Sequence, residues 1–469
     1  METIKVGALE LEELRTQLRG GVYVPGDEGY DGARAAWNLN AHQHPALVVV
    51  AEGATDVLAA VRLAREQGLG VGVMATGHGV AAPADGGVLI NTSRMKGVHV
   101  DPETRTARVE AGAKWADVVP EAAAHGLAGL QGSSSDVGVV GYTMGGGYGW
   151  LGRKHGFAAE SVKEADVVTA DGELLKVSAH ENADLFWGLK GGGGNFGIVT
   201  SLEFVLYPIT HVYGGNLFYP VEKADEVLEH YSRWSAGLPD EVTSGVAFIN
   251  FPPFEEIPEP LRGNSLIAMR FCYTGEDLQE KGEELLRPWR EEFGEPVMDT
   301  FGVMAYEAMD AISMDPVDPM GAYGHVEMLR DLSPGTAETL VKLAGADSNS
   351  PLAVLELRQL GGAFSRPPTE LDPMGRSDSR FVMYGLGATP TPEVAQAVQA
   401  YLAYVAEAVR PHASGAAYVN FIDLDGTSVE RVRQAYSPDD WQRLVALKDR
   451  YDPTNLFRFN RNIPPSAVE

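Results

Sequence analysis

Six glycines stand among the twelve residues from Gly138 to Gly149, and this stretch constrains the fold more than any other part of the sequence. Glycine has no Cβ atom and reaches positive φ freely, which suits a chain whose amides must lie close to a flat or phosphorylated ligand. A mobile surface loop is the alternative. Such loops favour Ser, Asn, Asp and Pro, whereas this stretch interleaves Val, Tyr and Met and runs into Trp150. The sequence therefore favours ligand contact.

The chain is too long for one compact core, and its composition limits its partners. With 469 residues, two domains are expected. The formal charge of -28 repels nucleic acid and anionic membranes, so neither is an expected partner. One cysteine, Cys272, excludes an internal disulfide framework, a cysteine-rich metal site and an iron–sulfur cluster, and we expect no metal.

The sequence gives no sign of a targeting or membrane segment. The first five residues open no apolar run, and no stretch is long and apolar enough to span a bilayer. The cytoplasm is therefore the expected location, and a monomer or homodimer the expected assembly.

A β-α-β unit is predicted near the N-terminus. Residues 45–50 form an apolar strand, a helical pattern follows with Thr55 as its expected cap and Gly68 as its end, and residues 71–74 form a second strand. The exit of the second strand places His78 between Gly77 and Gly79. An ordinary turn histidine is one interpretation, but the glycine stretch downstream favours a functional histidine.

A second glycine cluster invites a Rossmann interpretation, which its context opposes. Gly192, Gly194 and Gly197 fit the pattern G-x-G-x-x-G. A Rossmann site needs a helix directly after the glycines, so that the helix N-terminus faces the pyrophosphate. Residues 198–206 instead alternate like a strand and are rich in β-branched residues. Rossmann binding of NAD is therefore disfavoured.

Beyond about residue 210 the glycine clusters thin out, which indicates a second domain inserted into the first. Before that boundary, the Asp171-Gly172 turn between two apolar runs predicts a β-hairpin. After it, strands near 265–269 and 353–357 alternate with helices near 222–235, 276–293 and 392–409.

Together these motifs resemble the FAD-linked oxidases of the vanillyl-alcohol oxidase superfamily (PCMH-type FAD-binding), in particular the berberine-bridge-enzyme-like group. The similarity runs from about residue 40 to the C-terminus, and the motifs are specific only jointly. They are Thr76-Gly77-His78, residues 137–141 with 145–149, Arg153-Lys154-His155-Gly156, residues 184–187, Gly191 to Val199, Tyr418-Val419-Asn420 and residues 451–457.

The resemblance implies an α+β fold in which a two-part FAD-binding domain flanks a substrate domain of antiparallel sheet covered by helices. The implied boundaries are 1–210 and 411–469 for the FAD-binding parts and 211–410 for the substrate domain. The residues implied to bind FAD are His78, Ala75, Thr76, Gly77, Gly79, Val80, Ser134, Asp136, Val137, Gly138, Gly141, Tyr142, Gly145, Gly146, Gly149, Ile198, Val199, Tyr418, Asn420 and Asn460.

The mode of FAD attachment is also implied by the resemblance. His78 matches the histidine that the family joins to the flavin 8α-methyl group. The cysteine that makes a second bond in many relatives is replaced by Ser134, so attachment through His78 alone is expected. The family pattern Arg-Ser-Gly-Gly-His is here Met74-Ala75-Thr76-Gly77-His78, which removes an arginine and one glycine.

The implied reaction is hydride transfer from a substrate alcohol to flavin N5, with Tyr436 as the base and Tyr384 assisting. Some relatives carry a glutamate base where Gly385 stands here. Val137 matches a small residue beside the ring that leaves room for oxygen, which favours an oxidase that releases hydrogen peroxide. A dehydrogenase with another acceptor and a flavin-binding protein without activity are the alternatives. The substrate, a small molecule such as a sugar, a natural product or a phenolic alcohol, has no readable motif.

Overall fold

The structure is a computed structural model that describes residues 7–367, 372–422 and 427–467. Residues 1–5, on which the targeting expectation partly rests, lie outside these ranges. Across the described ranges, no helix combines the length and apolarity that a membrane crossing requires.

The described residues contain helices and strands in both halves of the chain. The helices are α1 Ala8–Gln17, α2 Tyr30–Arg34, α3 Ala54–Glu66, α4 Trp115–Ala123, α5 Val139–Met144, α6 Gly152–His155, α7 Ala183–Gly192, α8 Ala224–Ser235, α9 Leu278–Phe293, α10 Asp310–Ser313, α11 Pro334–Ala344, α12 Pro392–Val409, α13 Val429–Arg433 and α14 Pro438–Tyr451. The strands are β1 Gly21–Tyr23, β2 Leu47–Val50, β3 Val71–Met74, β4 Val88–Asn91, β5 Val98–Asp101, β6 Thr106–Glu110, β7 Val162–Val168, β8 Leu174–Ser178, β9 Ile198–Val205, β10 His211–Pro220, β11 Val242–Asn250, β12 Ser265–Tyr273, β13 Met298–Asp299, β14 Gly302–Ala305, β15 Ala322–Leu329, β16 Val354–Gln359 and β17 Phe381–Ala388.

These strands form three sheets, which confirms the α+β class. A four-stranded sheet has the order β1-β2-β4-β3, and a five-stranded antiparallel sheet has the order β5-β6-β9-β7-β8. An eight-stranded antiparallel sheet has the order β13-β10-β12-β11-β16-β17-β15, with β14 beside β10. The first two sheets end at residue 205 and the third spans residues 211–388. Domain boundaries at 210 and 410 stay a prediction.

The predicted β-α-β unit forms, with one change at its helix. Strands β2 and β3 both pair in parallel with β4, which lies between them. Helix α3 buries Val57, Val61 and Ala64 against this sheet. The helix begins at Ala54 with Gly53 at its N-cap, so Thr55 lies inside the first turn and makes no cap. Gly53, with an extended backbone, occupies the N-cap position predicted for Thr55 and has no side chain to cap the helix.

The Gly138–Gly149 stretch is a buried turn of helix followed by tight bends. Val139–Met144 forms the short helix α5 instead of the loop that its glycines indicate. Four of its six residues are buried, and only Gly146 and Gly147 have positive φ, at 114° and 78°. The stretch is therefore part of the core, which excludes the mobile surface loop.

The eight-stranded sheet has two different faces. Helices α8, α9, α11 and α12 cover one face with a large apolar core that includes Phe271, Leu355, Leu357 and Met383. The alternate residues of the same strands point the other way, toward the glycine-rich half of the chain. There, Val326, Met328 and Val382 pack with Tyr148 and Phe157. This second face forms one wall of the cavity described next.

Candidate active site

A continuous cavity of about 1480 Å³ runs from the glycine-rich half of the chain to the uncovered face of the eight-stranded sheet. Its walls come from three separate parts of the sequence: residues 37–199, residues 249–394 and residues 418–461. The volume exceeds the range of about 300–1,000 Å³ that is typical of a site for one small ligand. A cofactor and a substrate can therefore occupy it together.

Most of the residues expected to bind FAD line this cavity. They are Ala75, Thr76, Gly77, His78, Gly79, Val80, Ser134, Val137, Gly138, Gly141, Tyr142, Gly145, Ile198, Val199, Tyr418, Asn420 and Asn460, and the expected catalytic residue Tyr384 lines it as well.

Four expected residues lie outside the cavity lining, each for a local reason. A Cβ atom on Gly149 would lie 1.9 Å from the Gln131 carbonyl oxygen, and one on Gly146 would lie 2.9 Å from the Tyr418 hydroxyl, so both glycines serve chain packing. The Asp136 carboxylate lies 3.7 Å from His78 Nε2 and pairs with Lys114. Tyr436 is buried and donates its hydroxyl to the Gly191 carbonyl oxygen at 3.0 Å. Tyr436 therefore does not contact the cavity, as a base that acts on the substrate must do.

His78 projects into the cavity with one ring nitrogen unused. Its Nδ1 lies 3.0 Å from the Thr76 hydroxyl, and its Nε2 is buried without a hydrogen-bond partner in the described residues. The indole of Trp37 stacks on the imidazole, with ring centroids 4.3 Å apart and planes at 16°. The ring is thus held from one side, and a buried nitrogen is left for a ligand.

The surroundings keep the His78 imidazole neutral. Burial lowers its pKa to about 4, against the opposing charge of Asp136 and with a smaller lowering effect of Lys114. Asp136 lies 3.7 Å from Nε2 but pairs with the Lys114 ammonium at 2.5 Å, so its charge is already compensated. A neutral imidazole is the form in which the nitrogen lone pair is available.

The glycines that face the cavity leave room for a flat ligand. A Cβ atom on Gly141 would meet nothing within 4 Å, and the same holds for Gly193 and Gly194. All three residues line the cavity, so the open space beside them is cavity space. Such side-chain-free walls, together with the unused nitrogen of His78, fit FAD.

The second glycine cluster contributes to the cavity although it is no Rossmann site. Strand β9 begins directly after it, as the sequence predicted. The Asn195 side chain accepts from the Ile463 amide at 2.9 Å and donates to the Gly192 and Arg461 carbonyl oxygens. The C-terminal segment is therefore fastened to this loop.

The buried Lys448 also attaches the C-terminal segment to this loop. Lys448 donates to the carbonyl oxygens of Asn195 and Phe457, both at 2.9 Å, and to the Asp452 carboxylate at 2.7 Å. Asp452 in turn accepts from the amides of Leu456 and Phe457. These bonds hold the tail motif at residues 451–457 against the second glycine cluster, and Phe457 of this motif lines the cavity.

The sheet wall holds functional candidates that the sequence analysis missed. Arg270 on β12 and Glu356 and Arg358 on β16 line the cavity, and each is at least nine-tenths buried. The signal was readable in β16, because Glu356 and Arg358 alternate with Leu355 and Leu357 in a strand with a period of two. The sequence pattern did not show which of the two faces of β16 packs against the core.

Tyr384 stands next to these charged residues. It pairs with Glu356 in the register of β16 and β17, and it is partly exposed while its strand neighbours Met383 and Gly385 are buried. The Arg358 guanidinium lies 5.9 Å from the centroid of its ring. Tyr384 therefore faces the cavity beside a positive charge.

Comparisons with known proteins find FAD-linked relatives of this chain. Residues 45–178 match the FAD binding domain family, and residues 417–464 match the family described as berberine and berberine like. An FAD-linked oxidoreductase of Dictyostelium discoideum is 27% identical over 98% of each chain. The (R)-6-hydroxynicotine oxidase of Paenarthrobacter nicotinovorans is 28% identical, over 96% of this chain and 98% of its own. The crystal structure of 6-hydroxy-D-nicotine oxidase from Arthrobacter nicotinovorans superimposes with a TM-score of 0.81 at 26% identity, covering 96% and 98% of the two chains.

Proposed function

This chain belongs to the FAD-dependent oxidoreductases of the berberine-bridge-enzyme-like group, and we propose that it is an oxidase of a hydroxyl-bearing small molecule. The observation that carries the proposal is the single cavity that joins the glycine-lined half to the polar wall of the eight-stranded sheet. Flavins accept a hydride from carbon and pass the electrons to an acceptor, here molecular oxygen with release of hydrogen peroxide.

His78 is the residue that we propose to hold FAD covalently. Its Nε2 is buried and makes no hydrogen bond in the described residues, and burial keeps the ring neutral by lowering its pKa to about 4. A neutral nitrogen can form a bond to carbon, whereas a protonated one cannot. Ser134 lines the cavity where a cysteine would allow a second bond, so a single attachment is proposed.

Tyr384 is our choice for the group that accepts the proton of the substrate hydroxyl. It faces the cavity, and the nearby Arg358 guanidinium favours negative charge on the phenol. Three other tyrosines line the cavity. Tyr142 and Tyr148 donate their hydroxyls to the backbone carbonyl oxygens of Leu130 and Gln359, and burial raises the pKa of Tyr418. Tyr436 is less suited to be the base than Tyr384, because burial raises its pKa and its hydroxyl donates to the Gly191 carbonyl oxygen.

We propose molecular oxygen as the acceptor because of the residue at position 137. Val137 lines the cavity next to Gly138, and a side chain of this size leaves space for oxygen beside a flat ring. A dehydrogenase that uses another acceptor and a protein that only carries flavin are kept as alternatives.

The test is an absorption spectrum of the purified protein, followed by anaerobic and aerobic incubation with a panel of alcohols. Yellow colour that stays with the acid-precipitated pellet supports the bond at His78. Bleaching by an alcohol without oxygen, with peroxide released in air, supports the oxidase. Bleaching without peroxide supports the dehydrogenase, and FAD that no alcohol bleaches supports the carrier.

A further inference from the structure

The arginine and glutamate residues on the sheet wall form one compact group. In the register of the sheet, Gly245 of β11 lies between Arg270 of β12 and Arg358 of β16. A Cβ atom on Gly245 would lie 3.5 Å from Glu356 Oε1, so the glycine leaves space for the charged groups above it. We call Arg270, Glu356 and Arg358 the Arg–Glu–Arg cluster.

The cluster contains one more positive than negative charge. Arg358 Nε donates to Glu356 Oε2 at 2.8 Å, which forms a close pair. Arg270 approaches the other oxygen, Oε1, only to 3.5 Å, and it donates no hydrogen bond to the described residues. The side chains of Arg270 and Glu356 are each 3% exposed and that of Arg358 is 10% exposed. The Arg270 guanidinium therefore lies buried with Nε unbonded and with only a 3.5 Å ionic contact to Glu356.

The other charged groups of the cavity do not neutralise this surplus. Asp315, partly exposed on the loop after α10, helps to raise the pKa of Arg358 but forms no ion pair with the described cations, so solvent screens part of its charge. Arg461 lies on the cofactor side, where it donates to the carbonyl oxygens of Gly79 and Asn420. A chain with a net charge of -28 thus presents a cavity lined by three arginines and two carboxylates.

Burial of a guanidinium that shares its one carboxylate partner with another arginine is costly, and an anion that binds it recovers part of that cost. The planar fork of arginine matches a carboxylate, which it can bind through two parallel hydrogen bonds. Aromatic rings surround the site, since the Arg358 guanidinium lies 5.9 Å from the centroids of Tyr148 and Tyr384 and 5.8 Å from that of Phe421. A flat organic anion suits these walls.

We infer that the substrate carries a carboxylate, held by Arg270 of the Arg–Glu–Arg cluster, in addition to the hydroxyl that is oxidised. The inference rests on the proposed function, because it names the substrate class of the same site. The carboxylate end lies on the sheet wall beside Tyr384, so the reacting carbon is placed between the cluster and the cofactor half. Arg270 is then a specificity-determining residue.

The test compares benzoate with benzamide, its neutral analogue, by the change in flavin absorbance of the FAD-loaded protein. Benzoate should bind about tenfold more tightly or better, since hydrogen bonds to charged groups contribute about 1.5–3 kcal/mol. Arg270→Gln should remove this preference and leave benzamide binding and FAD content unchanged. Arg270→Lys, which keeps the charge but not the fork, should be intermediate. Arg233→Gln, at an exposed arginine, is the matched control.

Stability provides a second readout that needs no flavin. Arg270→Gln leaves the close Arg358–Glu356 pair intact and removes the surplus charge, so the ligand-free variant should unfold at the same or a higher temperature. Benzoate should raise the unfolding temperature of the wild type but not that of the variant. Equal binding of benzoate and benzamide, or a preference that survives Arg270→Gln, would overturn the inference. A protein that binds no FAD would overturn the proposed function instead, while the thermal readout still tests the cluster.

Discussion

The imidazole of His78 lies flat against the indole of Trp37, with ring centroids 4.3 Å apart. The indole nitrogen of Trp37 donates to the Val317 carbonyl oxygen at 2.9 Å, and the Trp37 amide donates to the Thr76 carbonyl oxygen. Trp37 thereby connects the histidine loop to the loop that carries Asp315 on the rim of the cavity. The position of His78 thus depends on both halves of the molecule.

His78→Asn should leave FAD bound only reversibly. We expect the yellow colour to move from the acid-precipitated pellet to the supernatant, because asparagine lacks a neutral ring nitrogen for the bond. His42→Asn is the control, since His42 lines the same cavity and is exposed. Colour that stays with the His78→Asn pellet would place the attachment elsewhere.

Tyr384→Phe should slow reduction of the flavin by substrate roughly 10²–10⁴-fold, the usual contribution of general acid–base catalysis. Tyr436→Phe is the matched variant. It should leave the reduction rate nearly unchanged and lower the free energy of unfolding by about 1 kcal/mol, because the hydrogen bond to Gly191 is lost. Stopped-flow absorbance and thermal unfolding measure the two effects. A slow Tyr436→Phe with a fast Tyr384→Phe would return the base to Tyr436.

Gly141→Ala should separate folding from cofactor binding. The position lies in helix α5 with open space around a Cβ atom, so alanine should stabilise the FAD-free protein by about 0.5–1 kcal/mol. The added methyl group enters cavity space, and we expect FAD affinity to fall about tenfold, as overpacking costs about 1–3 kcal/mol. Flavin titration and thermal unfolding report the two effects.

Gly149→Ala is the contrasting variant for Gly141→Ala. A methyl group there would lie 1.9 Å from the Gln131 carbonyl oxygen, so we expect a loss of about 3 kcal/mol or failure to fold. An unchanged FAD affinity in Gly141→Ala would show that this helix does not touch the cofactor.

The partly buried His155 should make the protein sensitive to acid. Its Nε2 has no partner in the described residues, and burial lowers its pKa to about 4, with a smaller effect of Lys154. The unfolded chain takes up a proton near pH 6.5, while the folded chain does so only near pH 4. The unfolded state therefore binds more protons in this window, and stability falls as the pH drops from about 6.5 to about 4.

The measurement is the free energy of unfolding of the wild type and His155→Phe across that window. The wild type should lose roughly 2 kcal/mol of unfolding free energy across this window, and the variant should not. This figure is smaller than the full linkage value because the ring is only partly buried. Phenylalanine preserves the ring contact with Tyr207, whose centroid lies 4.1 Å from that of His155. His180→Phe, at an exposed histidine, should follow the wild type. Parallel pH curves for wild type and His155→Phe would contradict the prediction.

Local patterns determined much of this protein. The apolar runs and turn signals predicted β2-α3-β3, the β7–β8 hairpin, strand β9 after the second glycine cluster and helix α12, and all of them form. The glycines and His78 marked the cofactor half of the cavity. These features depend on residues close together in the chain, where backbone preference and periodicity act directly.

Tertiary structure decided the chemistry on the opposite wall. The resemblance implies Tyr436 as the base with Tyr384 assisting. In the structure the Tyr436 hydroxyl instead donates to the Gly191 carbonyl oxygen, and Tyr436 does not line the cavity. Arg270 and Glu356 are 86 residues apart, and the register through Gly245 brings them together. The net positive charge of the Arg–Glu–Arg cluster arises only when residues of β12 and β16 lie side by side, and burial removes the water that would otherwise screen each group. No local sequence pattern shows this, because the charged residues are far apart in the chain.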